Sequence, residues 1–210
     1  EHFATENFLT TTMRSVDITH DPIATEIDRD TILQVKARFL ELNQQRYDQS
    51  KWHLSARQQQ YIDLLPLLFH YNHPRLPGYQ SKTTVAGFAN YTPTSQQVQL
   101  AKKLVKGFTA PSSHGRKQPL LALYVMGSTG TVAQSNNSDM DFWLSHSAAI
   151  QDDALLELEK KCNALSLWAK SIDLEWHFFL MQPEAFSRGE HGKLSKEGSG
   201  SSQHFLLLDE

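Results

Sequence analysis

The chain has 210 residues, of which 40% are apolar and 20% charged, with a net charge of −3, 11 Phe and one Cys. That excludes binding a nucleic-acid backbone by bulk positive charge and any internal disulfide, while leaving ample material for a buried core. No apolar run approaches the roughly 20 residues that span a bilayer, and the N-terminus has neither the basic start nor the apolar core of a signal peptide; a cytoplasmic protein is expected. Beginning at Glu1 and stopping in "FLLLDE", the sequence reads as a piece of something longer.

In chain order, residues 1–29 are rich in Thr, Asp, Glu and His without a sustained period, and read as a tail or peripheral segment. Ile32, Val35, Phe39 and Leu42 then form one apolar helical stripe, with Asp30 placed to cap it. A second helix is predicted over 55–70, capped by Ser55 and interrupted by Pro66, which should kink or split it. After the turn-rich "NHPRLPGY", a third helix is predicted over 95–106. Past the loop at 110–119 the period shortens. "LLALYVM" (120–126) reads as a buried strand, "DMDFWLS" (139–145) as a second and "LEWHFFLM" (174–181) as a third, with a helix over 152–171 between the last two. A mobile Gly/Ser/Lys-rich loop over 188–202 and a fourth strand at 203–210 complete the pattern. The expected architecture is α+β: a helical lobe over 30–110, then a mixed sheet with flanking helices over 118–210.

The stretch "MGSTGTVAQSNNSDMDFWL" (126–144) concentrates the chemistry. Residues two apart on a strand share a face, so Asp139 and Asp141 project together. Two carboxylates so close repel unless cations neutralise them, and carboxylate oxygens suit Mg²⁺ or Mn²⁺. Ahead of them, Gly127 lets backbone approach a ligand, Ser128 offers a hydroxyl, and a short helix predicted at 129–135 would present free amides to phosphate. Thr129, Thr131 and Ser135 add hydroxyls. A third carboxylate is expected on a neighbouring strand: Glu175 first, Asp173 second, because Asp173 sits where turn chemistry explains it. A lone D-x-D or Gly-Ser pair is weak evidence; strand, Gly-Ser turn and D-x-D in sequence is far more specific.

That arrangement resembles the nucleotidyltransferase superfamily of DNA polymerase β. Read outwards, "LLPLLFHYNHPRLPGY" (64–79), "YTP" (91–93), "YVMGSTGTVAQSNNSDMDFWLSH" (124–146), "HFFLM" (177–181) and "GSSQHFLLLDE" (200–210) together resemble the N-terminal catalytic region of bacterial class I adenylate cyclases, over residues 32–210. The resemblance implies a nucleotidyltransferase-like sheet, ATP as substrate, and 3′,5′-cyclic AMP and pyrophosphate as products, with a regulatory C-terminal region lying beyond this chain. Carried over by position, Gly127 and Ser128, with Thr129, hold the triphosphate, and Asp139 and Asp141 hold the metals. Trp143 matches a family tryptophan. On this reading one ion on Asp139, Asp141 and Glu175 activates the ribose 3′-hydroxyl, and a second on Asp139 and Asp141 neutralises the departing pyrophosphate. Ser138, Trp143, Gln203 and His204 are further candidate substrate contacts. His177 reads as a sheet histidine, Lys160 and Lys161 as a solvated helix face, and Cys162 as buried. His70 and His73 flank a turn without a companion that would make them metal ligands. Two other functions fit the same residues: nucleotide transfer to a separate hydroxyl acceptor, and an inactive module that binds a nucleotide or a partner.

Overall fold

The computed structural model describes residues 28–111, 118–131, 134 and 138–188. Helix α1 spans Arg29–Ser50, α2 Ala56–His70, α3 Ser95–Leu104, α4 Asp152–Lys170 and α5 Pro183–Ser187; strands β1, β2 and β3 span Leu120–Met126, Met140–His146 and Trp176–Met181. The predicted fourth strand, at residues 203–210, lies outside the described residues, as does the loop at 189–202. Residues up to Leu40 and from Glu41 onward form two compact units.

The helix starts follow local hydrogen-bond chemistry. Asp28, rather than Asp30, takes the cap position of α1: its carboxylate accepts the Asp30 N–H (3.1 Å), and its carbonyl accepts that of Ile32. The stripe of Ile32, Val35, Phe39 and Leu42 is present on a helix, yet each of those side chains is more than half exposed; periodicity specified the helix and not a partner for its face. Ser55 caps α2 as expected, in a reciprocal box with Gln58. The Gln58 amide also donates to the carbonyls of Ile172 and Asp173, tying this helix start to the approach to β3. Pro66 lies inside α2 without splitting it. Thr94 and Gln97 form a second such box on α3.

The sheet has the order β1-β2-β3. β1 runs antiparallel to β2, pairing Met126 with Asp141 and Tyr124 with Trp143. β2 runs parallel to β3, pairing Asp141 with His177 and Phe142 with Phe178, and α4 makes the crossover that parallel neighbours require. The expectation that β1 is buried is corrected. Among the described residues it lies at the margin of the sheet, its outer edge met at Leu120 alone by a bridge to Phe88, and Leu121 and Tyr124 are exposed. The mixture of helices and a small mixed sheet agrees with the α+β expectation.

One face of the sheet is packed. Met140, Phe142, Leu144 and Trp176 are buried with the apolar face of α2 and the stripe Leu158, Cys162, Leu165 and Ala169 of α4. Aromatic rings fill this layer: Phe178 stacks on Phe142 (5.3 Å between centroids) and meets Phe69 edge-on (5.5 Å), while Tyr61 stacks on Trp168 (3.9 Å). Lys161 is the exception among these residues. Reading it as part of a solvated face is wrong: it is 1% exposed, with its ammonium 5.7 Å from the Phe69 ring centroid. The position is forced by the helix, since residue 161 falls three after Leu158 and four before Leu165. Burial lowers the Lys161 pKa to about 8 and raises that of Cys162 to about 12.

Candidate functional site

The opposite face of the sheet carries the polar groups. Asp139 immediately precedes β2 and Asp141 is its second residue; Met140 and Phe142, the alternate positions, are buried while Asp139 is exposed and Asp141 half-buried. The alternation thus turns both carboxylates away from the packed layer. Parallel pairing brings Glu175 and His177 alongside: Met140 N–H donates to the Glu175 carbonyl (2.9 Å), and Asp141 is level with His177. His177 Nε2 lies 3.4 Å from Glu175 Oε1 and 4.0 Å from Asp139 Oδ2. Asp173, the second choice for a third carboxylate, sits in the turn after α4 with φ +59° and lines the side of a cavity rather than the aspartate pair.

The end of β1 delivers the turn to the same place. Pairing Met126 with Asp141 puts Gly127 beside that carboxylate; a Cβ built on Gly127 would stand 3.6 Å from Asp141 Oδ2. The expected helix over 129–135 falls partly outside the described residues, at 132, 133 and 135; its first three positions form a turn rather than a helix. Residues 127–131 make a hydrogen-bonded turn with Gly127 at φ +73° and Gly130 at φ +71°, closed by the Thr131 N–H (3.0 Å) and hydroxyl (2.6 Å) donating to the Ser128 carbonyl. Two left-handed glycines within four residues break a helix and leave backbone amides arrayed along a bend, an anion-receptive geometry of a different kind. Thr129 is buried, and its hydroxyl has no hydrogen-bond partner among the described residues.

Gly130 is required for space as well as conformation, because an added Cβ would fall 2.2 Å from the Arg46 carbonyl oxygen. Gly130→Ala is therefore expected to cost about 3 kcal/mol, from backbone overlap plus left-handed strain. In a calorimetric melt this lowers the midpoint by roughly 6–12 °C; a midpoint within about 2 °C of the parent would show that the turn is not seated on Arg46.

A cavity of about 670 Å³ runs beside β3, with Ser138, Glu175 and His177 at its rim and Met140, Trp176 and Phe178 among its apolar lining. Neither aspartate nor Gly127 lines it, so the chemical reading rests on the carboxylates and the turn. Trp143 is buried, edge-on to Phe186 of α5 at 5.5 Å, a packing position. Gln203 and His204 lie outside the described residues. His70 is occupied structurally, its Nδ1 accepting the Phe88 N–H (3.1 Å), and His73 Nδ1 accepts that of Arg75. His177 is the sheet histidine expected from the sequence, and the two-residue spacing that singled out Glu175 places it on the same face.

Among the described residues no three His, Cys, Asp or Glu side chains are arranged as a ready cation cage. The donor set still fits Mg²⁺, which is commonly held by one or two carboxylates while water and substrate phosphate supply the other oxygens. Among the described residues no helix is long and apolar enough to cross a membrane.

The family described as the adenylate cyclase NT domain matches residues 31–210, and the chain belongs to that family. Its similarity extends to adenylate cyclases of Shigella flexneri and Salmonella typhimurium, each 37% identical over 178 residues, and of Escherichia coli K12 at 36%. In each case 84% of this chain is covered and 21% of the relative, so the chain spans about a fifth of the length of these relatives. No solved structure matches it.

Proposed function

We propose that the chain is the catalytic portion of a cytoplasmic adenylate cyclase converting ATP to 3′,5′-cyclic AMP and pyrophosphate, built on a nucleotidyltransferase-like core. The observation that carries the reading is that strand pairing brings a glycine-serine turn beside the carboxylate of Asp141, with Asp139 just before the same strand and Glu175 and His177 on its parallel neighbour. Family membership supports the choice of reaction over other chemistry on the same arrangement.

Asp139 and Asp141 would hold Mg²⁺, with Glu175 as a third oxygen donor to one of two ions. When bound, the metal supplies charge neutralisation and a lowered pKa for the ribose 3′-hydroxyl. The rest falls to the chain. The Ser128 and Thr129 amides and the Ser128 hydroxyl receive the β- and γ-phosphates and fix the triphosphate, the Gly130 and Thr131 amides being engaged within the turn. The 3′-oxygen then lies in line with the bond between the α-phosphorus and the departing pyrophosphate. A bond forms from that oxygen to the α-phosphorus as the bond to the bridging oxygen breaks; the hydroxyl proton passes to water and the bond's electron pair leaves with pyrophosphate, so one molecule supplies both nucleophile and leaving group and no covalent protein intermediate is needed. His177, half-buried and between two carboxylates, stands where it can orient Glu175 and Asp139.

Incubation with ATP and Mg²⁺, followed by chromatographic identification of the product, tests the proposal. Cyclic AMP with equimolar pyrophosphate is expected. Nucleotide attached to another acceptor, or unconsumed ATP in a protein that carries this chain intact, would overturn it.

A further inference from the structure

We infer that Arg46 is a positioning residue for the 127–131 turn, and that the C-terminal end of α1 is a strut that sets the spacing of that turn against the carboxylates. Its ligand rests on the nucleotide reading above; its geometry does not.

Arg46 Nη2 donates to the carbonyls of Gly127 (3.4 Å) and Thr129 (3.2 Å), 81 and 83 residues away in sequence. The peptide links are all trans, so in each planar unit the N–H points opposite to the C=O. A guanidinium fixed on the Gly127 carbonyl therefore turns the Ser128 N–H away from α1. Fixed on the Thr129 carbonyl, it does the same for the Gly130 N–H, which Gln134 Oε1 accepts at 2.6 Å. Gln134 in turn donates to the Ser50 carbonyl at the end of α1 (3.0 Å). A positive charge on the carbonyl side also polarises both amides, strengthening Ser128 as a donor to an anion and Gly130 as a donor to Gln134.

The strut is braced at its other side. Tyr47, next to Arg46, donates its hydroxyl to Asp63 of α2, and Lys51 lies 3.3 Å from the same carboxylate. Gly130 seats directly on the Arg46 backbone, where nothing larger than hydrogen fits. Three independent contacts thus join one helical turn of α1 to one bend between β1 and β2: the guanidinium on two carbonyls, the Gln134 bridge to Ser50, and the glycine seated on the backbone.

Arg46→Met and Arg46→Lys test this with two readouts. The first is amide hydrogen exchange of the ligand-free protein, read residue by residue by NMR. Arg46→Met is expected to speed exchange about tenfold at Gly130 and Thr131, whose N–H groups are held by Gln134 Oε1 and the Ser128 carbonyl, while α2 and β2 amides keep their rates. The second is calorimetric binding of a non-hydrolysable ATP analogue with Mg²⁺, alongside Mn²⁺ alone. Arg46→Met is expected to weaken the analogue about tenfold and leave Mn²⁺ affinity within about twofold, and Arg46→Lys to recover part of the loss, since an ammonium cannot reproduce the planar fork. Unchanged exchange at Gly130 and Thr131 overturns the inference whatever the nucleotide does. So does equal loss of analogue, Mn²⁺ and melting midpoint, which would mark general damage. If exchange accelerates but the parent protein binds no analogue, the strut stands and the nucleotide reading falls.

Discussion

Asp141→Asn is expected to lower Mg²⁺-dependent conversion of ATP by about a thousandfold or more, with the melting midpoint within roughly 3 °C of the parent. The size follows from position. Asp141 is where the two halves of the site touch, being paired with Met126 on one side and His177 on the other, with Gly127 against its carboxylate. The amide keeps the shape and removes the negative charge that would draw a divalent ion between the turn and Asp139. The fold does not depend on that charge, because the packed layer lies on the other face of the strand, at Met140, Phe142 and Leu144. Cyclic AMP production and calorimetric Mn²⁺ titration are the measurements. Turnover within tenfold of the parent, at saturating Mg²⁺, would remove Asp141 from the mechanism and with it the pairing of turn and carboxylate.

Lys161→Met is expected to stabilise the protein by about 3 kcal/mol at pH 7, raising the midpoint by roughly 6–12 °C. Lys161 is enclosed by aliphatic and aromatic side chains, and among the described residues no carboxylate pairs with it. Its folded pKa, lowered to about 8 from an ordinary 10.5, means that the unfolded chain binds this proton more tightly. The penalty is fully present below pH 8, relieved between pH 8 and 10.5, and gone above. Parent stability relative to the variant should therefore rise with pH across that window. Using the difference cancels Tyr47 and Tyr91, whose raised values make stability fall above about pH 10; Cys162, which interacts with Lys161 and whose raised pKa acts the same way above about pH 9, does not cancel, so the slope below pH 9 is the one that reports Lys161. Denaturant melts of both proteins from pH 7 to 9.5 give the curve. A pH-independent difference would mean that Lys161 reaches water or an anion in solution.

Where local rules govern, the sequence was readable. Ser55 and Gln58 marked the start of α2 because a capping box satisfies donors within four residues. The shared face of Asp139 and Asp141 was legible because strand alternation is a backbone property that needs no tertiary knowledge. What escaped was set by long-range geometry. Arg46 carries no signal on its own, being one basic residue on a polar helix; its role exists only because a turn 81 residues later comes back to it. Lys161 was misassigned by residue type, when the i, i+3, i+4 spacing of Leu158 and Leu165 already placed it inward. The start of a predicted helix at 129 fell on this bend because Gly-Ser-Thr suits both, and of the two left-handed glycines that shape the bend only Gly130 is seated on α1. The edge character of β1 was likewise invisible, since a short apolar run reads alike in the middle and at the margin of a sheet.

The direction of the strands has one more consequence. β2 and β3 start at the same end of the sheet, and β1, running the other way, finishes there. Every group assigned to phosphate or cation thus collects along a single margin, supplied by one strand exit and two strand entrances, while the aromatic layer occupies the interior. Exchanges along that margin can change what is gripped without reaching the layer that keeps the molecule folded, so the two demands on this sequence are largely separable in space.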